Sequence, residues 1–254
     1  PRAPTPTTAF LPIGPKAAGV VLPPRVLFTA VPNVTHHWGN LLIVISGITI
    51  LYGNLCALPQ RNLKRLLGYS SISHAGYLLL GVAALNADGS AAILYYLAGY
   101  LFTVLAAFLV IALVLRHLDA EDISGLAGLN QRSPLLAATM TISMVSLAGI
   151  PPLAGFFGKF LLLKSAVEAA QTTQNHGYYY LVFVALAGVV ISLYYYFGVI
   201  RAIYWSKETK ELPPIELSGS AKLAAWVCIA GIFWLGLFPN TVLNLAIQAV
   251  SVLK

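Results

Sequence analysis

Charge is what this chain has least of. Asp, Glu, Lys and Arg make up 9% of its 254 residues, where soluble domains carry roughly 25%, so a water-facing shell around an ordinary globular core is excluded. Cysteine is almost as scarce. Cys56 and Cys228 stand singly in apolar runs without a Cys-x-x-Cys partner or a neighbouring histidine, which excludes a disulfide framework and a zinc site and leaves both as small buried hydrophobes. No Gly-x-Gly-x-x-Gly and no phosphate loop is found, so this chain is expected to hold no cofactor and no metal. Pro1 stands where a methionine would, and no charged, apolar and cleavage regions follow it, so a signal peptide is not expected and the sequence reads as cut. Tandem repeats of 20 to 50 residues are also missing, although inverted transporter repeats diverge beyond such detection.

Apolar residues fill the space that charge leaves. They form 58% of the chain, and the mean hydropathy is +0.80. Seven segments have the length and composition of bilayer-spanning helices: Phe10–Val31, Trp38–Leu58, Leu66–Leu85, Ala91–Leu115, Leu135–Leu163, Tyr178–Ile200 and Leu223–Leu253. An all-α polytopic membrane fold follows, as one membrane domain over residues 1–254.

The net charge of +7 could suggest nucleic acid, but its distribution gives another meaning. Outside the spans, Arg2, Arg61, Lys64, Arg65, Arg116, Arg132, Arg201, Lys207, Lys210 and Lys222 fall on one side, ten in all, against two on the other, Lys164 and Lys254. The positive-inside rule therefore puts the N-terminal end in the cytoplasm and the C-terminal end outside, and no nucleic-acid partner is expected. Two longer connections, Arg116–Pro134 and Ser206–Ser220, read as solvated cytoplasmic loops.

Polar groups inside the spans carry the functional signal. Leu147-Ala-Gly-Ile-Pro-Pro-Leu-Ala-Gly-Phe-Phe-Gly-Lys159 sets a helix break at Gly149, Pro151, Pro152 and Gly155 just ahead of a cation. Proline removes a backbone donor, and lipid offers nothing in exchange. An ammonium at that depth costs at least about 2.5–3.5 kcal/mol, so Lys159 should face a polar interior. Lys16 lies among small residues that admit a close neighbouring helix, and snorkelling accounts for Arg25 and Lys164. His74 is nine residues into its span, about 13 Å along a helix. Ser70, Ser71, Ser73 and Tyr77 surround it with hydroxyls, which suits a proton relay through its two ring nitrogens.

Three long motifs carry a resemblance. Ala3-Pro-Thr-Pro-Thr-Thr-Ala-Phe-Leu with Lys16 following, Gln60-Arg-Asn-Leu-Lys-Arg-Leu-Leu-Gly-Tyr-Ser-Ser-Ile-Ser-His-Ala-Gly-Tyr77, and Ser146-Leu-Ala-Gly-Ile-Pro-Pro-Leu-Ala-Gly-Phe-Phe-Gly-Lys-Phe160 resemble, in order, the subunit N family of bacterial proton-pumping NADH:quinone oxidoreductases, respiratory complex I. The chain is similar to about the C-terminal half of that family. The resemblance implies seven helices equivalent to helices 8 to 14 of a fourteen-helix antiporter-like fold. Residues 1–35 would hold the last helix of the first repeat, 36–205 a complete five-helix repeat with one broken helix, and 206–254 a cytoplasmic loop and the final helix.

The resemblance also implies roles. Lys16 matches the lysine at the centre of the family's proton axis, Lys159 the lysine of the broken helix, and His74 lies on the hydrated path between them. Proton translocation through these residues would be coupled to quinone reduction elsewhere. Flavin, iron–sulfur clusters and quinone are expected in other subunits, and the partners are the neighbouring antiporter-like subunits and the bilayer of the bacterial inner membrane, with the C-terminus periplasmic. Two rival readings stand beside this one: a subunit of a multi-subunit cation/proton antiporter, which shares the fold and the lysine pairs, and a membrane scaffold that transports nothing, which would predict apolar residues where Lys16, His74 and Lys159 stand.

Overall fold

The computed structural model describes residues 35–114, 121–206 and 214–251, together with Gly19. Apart from Gly19, the first expected span, with Lys16 and Arg25, lies outside the described residues, as do Arg116, Lys207 and Lys210. The described residues form α-helices throughout: α1 Thr35–Ala57, α2 Leu63–Ala83, α3 Ala87–Val114, α4 Leu129–Arg132, α5 Pro134–Ala148, α6 Ala154–Thr173, α7 Gly177–Trp205, α8 Gly219–Leu237 and α9 Pro239–Ser251, with a 3-10 turn at Ile123–Leu126. Five of them, α1, α2, α3, α7 and α8, are long and apolar enough to cross a membrane.

Local sequence sets the ends. Asn62 caps α2 by accepting from the Arg65 N–H at 3.0 Å, and Ser218 caps α8 by accepting from Ala221 at 3.3 Å. Pro134 opens α5 at a position where no backbone donor is needed. The expected single span Leu223–Leu253 is instead two helices, α8 and α9, parted at Phe238. Pro239 cannot donate to the carbonyl of Leu235 four residues back, and the Tyr95 hydroxyl donates to that carbonyl instead at 2.5 Å.

The bundle is apolar at its rim and carries a set of polar groups within its otherwise apolar interior. Ser46, Asn54, Ser70, Ser73, Thr103, Thr139, Ser143, Ser146 and Ser192 are all buried, whereas Ile48, Phe183, Val190 and Trp226 are mostly exposed. Lipid is as apolar as these outer side chains, so association has to come from close packing and interhelical hydrogen bonds. Helices α1 and α2 illustrate this, with Ser46 Oγ donating to the Gly76 carbonyl at 2.8 Å.

Residues 121–134 correct the expectation of a solvated loop. Leu126 and Leu129 are buried, Glu121 Oε1 pairs with Lys64 at 2.9 Å, and its carbonyl accepts from the Leu63 N–H at 2.9 Å. Apolar side chains three apart, at 123, 126 and 129, supply an inner face that the charged residues around them obscured.

Candidate functional site

The break in the fifth span is built from the residues that announced it. Helix α5 ends at Ala148, Gly149 turns the chain at φ +86°, and α6 resumes at Ala154. A positive φ there suits glycine and strains any side chain. Gly155 is required for space, because a Cβ on it would overlap the Ser146 carbonyl across the break. Ser146 Oγ in turn accepts from the Gly155 N–H at 3.2 Å and lies 3.2 Å from the Thr103 hydroxyl of α3.

The two prolines decide where the cation sits. In a continuous helix the N–H groups of residues 151 and 152 would bond the carbonyls of Leu147 and Ala148, and proline has no N–H to give. Those two carbonyls accept instead from Lys159 Nζ, at 2.8 and 3.2 Å. The ammonium is buried and lies 5.0 Å from the centre of the Tyr77 ring. It therefore meets the negative end of the α5 dipole on one side and an aromatic face on another. Lys164, five residues on, is 57% exposed and pairs with Glu168 at 3.3 Å. It stands well inside α6, not at the end of the helix as its snorkelling account assumed.

His74, on α2, is buried and has a tyrosine hydroxyl at each ring nitrogen. Tyr96 of α3 bonds Nδ1, and Tyr196 of α7 lies 3.0 Å from Nε2. Tyr196 OH is also 2.5 Å from Ser70 Oγ. Tyr100 stacks on Tyr96, sits with its ring centre 5.1 Å from that of His74, and hydrogen-bonds Ser71. A second arm reaches α1: Tyr195 OH donates to Asn54 Oδ1 at 2.9 Å, and Asn54 Nδ2 donates to Ser73 Oγ at 2.8 Å.

The structure thus gathers Lys159, His74, Ser70, Ser71, Ser73 and Tyr77 about one centre, in helices α2 and α6. Tyr77 is placed differently from a ladder rung, since its hydroxyl donates to the buried Ala185 carbonyl of α7 at 2.7 Å. Sequence reasoning missed Asn54, Tyr96, Tyr100, Tyr195 and Tyr196. The signal was available: a buried tyrosine needs a hydroxyl partner, and Tyr96 and Tyr100 sit four apart on one face of an otherwise apolar helix. Among the described residues, no group of three or more His, Cys, Asp and Glu could hold a metal ion.

His74, Ser70, Tyr96 and Tyr196 thus form a buried run of groups that can each donate and accept a proton, and Lys159 lies beside it at the Tyr77 ring. Comparison with known proteins gives the family. Residues 1–183 match the family model described as NADH:quinone oxidoreductase/Mrp antiporter, TM. A NADH-quinone oxidoreductase subunit N from Trichlorobacter lovleyi is 41% identical over 252 residues, which is 99% of this chain and 50% of that protein. The chain spans about half the length of the curated relatives it matches. A chain of respiratory complex I from Thermus thermophilus superposes with a TM-score of 0.69 at 35% identity, over 80% of this chain and 44% of that one. A chain of the membrane-bound sulfane sulfur reductase, an archaeal respiratory membrane complex, gives 0.82 at 26% identity, over 98% and 49%.

Proposed function

We propose a function from one premise: this chain belongs to the NADH:quinone oxidoreductase/Mrp antiporter transmembrane family. On that footing it is the C-terminal half of a subunit N, a proton-translocating part of the membrane arm of an NADH:quinone oxidoreductase. Flavin, iron–sulfur clusters and quinone belong to other subunits, and neighbouring antiporter-like subunits flank this one. Residues 36–205 form the second five-helix repeat, residues 1–35 the end of the first, and 206–254 the closing loop and helix. The helices are the eighth to fourteenth of the family fold. The basic loops face the cytoplasm and the C-terminus the periplasm. Cysteine labelling at residues 61–65 and 214–222 in intact cells should fail from outside and succeed in inverted vesicles. Labelling from outside overturns this orientation.

The carrying observation is Lys159, whose buried amine rests on the two carbonyls that the proline pair leaves without donors. Such a group gains or loses its proton in response to neighbouring charge. A unit charge arriving 10 Å away at an effective dielectric of 20 changes its protonation free energy by about 1.7 kcal/mol, somewhat more than tenfold in occupancy. Redox chemistry elsewhere that alters the charge on one relay group can therefore drive the next. In this reading Lys16 is the internal donor, His74 with Ser70, Ser71, Ser73 and Tyr77 forms the path, and Lys159 exchanges with the outer side.

The test replaces Lys159 by Met in the full-length subunit of the assembled complex, with Lys164→Met as the comparison. NADH-driven proton uptake into inverted vesicles should fall at least tenfold for the first and stay within about twofold for the second. Equal uptake by the two variants removes Lys159 from the relay. The family name also covers Mrp antiporters, and dependence of the transport on NADH separates the two readings.

A further inference from the structure

The tyrosines around His74 are not equivalent. Tyr77 is the one beside Lys159, yet its hydroxyl is donated to the Ala185 carbonyl, which has no proton to pass on. Tyr196 OH stands between two groups that both donate and accept, His74 Nε2 at 3.0 Å and Ser70 Oγ at 2.5 Å. Ser70 in turn lines a cavity of about 10 Å³ together with Tyr100, Val104 and Leu147. That volume is of the order needed for one water. Leu147 is also the residue whose carbonyl holds Lys159 Nζ.

Resting on the proton-translocation reading, we infer that Tyr196 is the proton carrier between His74 and the Leu147 end of the site, working through Ser70 and a water in that cavity. The transfer balances without ionising a hydroxyl. Protonated His74 gives its Nε2 proton to Tyr196, Tyr196 gives its own to Ser70, Ser70 gives its own to the cavity water, and the water gives one of its own to a Lys159 amine that has released its proton. Each hydroxyl and the water gain one proton and lose one, His74 ends neutral, and Lys159 ends as the ammonium. Tyr96, bonded to Nδ1, keeps the imidazole turned toward Tyr196 while this happens. For the return, both hydroxyls rotate about their C–O bonds.

The experiment uses the full-length subunit in the assembled complex. Tyr196→Phe keeps the ring and removes the hydroxyl, and should lower NADH-driven proton uptake at least tenfold. Ser70→Ala should lower it to a similar degree, and the double variant should be no worse than either single one, because both break the same step. Ser70→Thr restores a hydroxyl and should recover most of the uptake, which a purely packing role would not. Tyr178→Phe is the comparison: it removes a buried hydroxyl donated to the Ala83 carbonyl at 2.7 Å, away from the site, and should pump within about twofold of the parent. If Tyr196→Phe pumps as well as Tyr178→Phe, or if Ser70→Ala pumps as well as the parent, the carrier role is wrong. Should Tyr196→Phe fail to assemble, the Ser70→Ala and Ser70→Thr pair decides alone. Loss of uptake in Lys159→Met with normal uptake in both Tyr196→Phe and Ser70→Ala defeats this inference and leaves the broader reading standing. Normal uptake in Lys159→Met defeats the broader reading first.

Discussion

Two lysines on one helix, five residues apart, meet opposite surroundings. Lys159 is 4% exposed, and its partners are two main-chain carbonyls and an aromatic face. Lys164 is 57% exposed and shares its charge with Glu168 one turn on. The side chains are chemically identical, and what separates them is distance from the helix break. A proline-interrupted helix exposes carbonyls on the side where donors are missing, and only a cation within reach can use them. The fully paired backbone around Lys164 offers no such seat, so that amine looks outward to solvent and a carboxylate. The lesson is that the break makes a site, and the lysine occupies it.

The comparison breaks most severely at Lys159→Met, expected to cost at least tenfold in coupled proton uptake. His74→Phe, which keeps an aromatic ring and loses both nitrogens, comes next: uptake should fall several-fold with normal assembly, measured in the same vesicles. Pro151→Ala attacks the seat instead of its occupant. It supplies an N–H that competes with Lys159 for the Leu147 carbonyl, and uptake should drop by a few-fold while the lysine remains; unchanged uptake would mean the freed carbonyl is incidental. Gly155→Ala forces a Cβ onto the Ser146 carbonyl. Overpacking of this kind costs about 1–3 kcal/mol, so the thermal midpoint and the amount of assembled subunit should both decline. Smallest of all is Lys164→Met. An exposed ion pair of this type contributes about 0–1 kcal/mol, and loss of stability beyond that would show that Lys164 is not the plain surface residue described here.

Much of this was legible in order along the chain. The spans at 38–58, 66–85, 91–115 and 178–200 correspond to α1, α2, α3 and α7 within a few residues, because a long apolar run bounded by Gly, Pro or charge has few alternatives in lipid. The break at 149–155 was legible from the prolines. The division of the last span at Phe238 was less so, since a single Pro239 can also be tolerated as a kink. Residues 121–134 misled because charge at 119–122 dominated the eye, while the inward-facing Ile123, Leu126 and Leu129 are spaced too briefly to register as a helix.

The sequence by itself determined that this is a membrane chain, where four of its long apolar helices run, and that Leu147 and Ala148 would lack donors, since proline's missing N–H and the four-residue helical bond are local facts. It singled out Lys159 and His74 for the same reason: charge and imidazole stand out against apolar neighbours. Only the tertiary structure decided that Tyr96 and Tyr196, from two different helices, close on the two nitrogens of His74, and that Tyr77 turns its hydroxyl away. Tyrosine is ordinary in apolar spans, and its meaning depends on what lies at the end of its ring. That is set by how helices α2, α3 and α7 rotate and slide against one another, a quantity fixed by the summed packing of many side chains and by no single stretch of sequence.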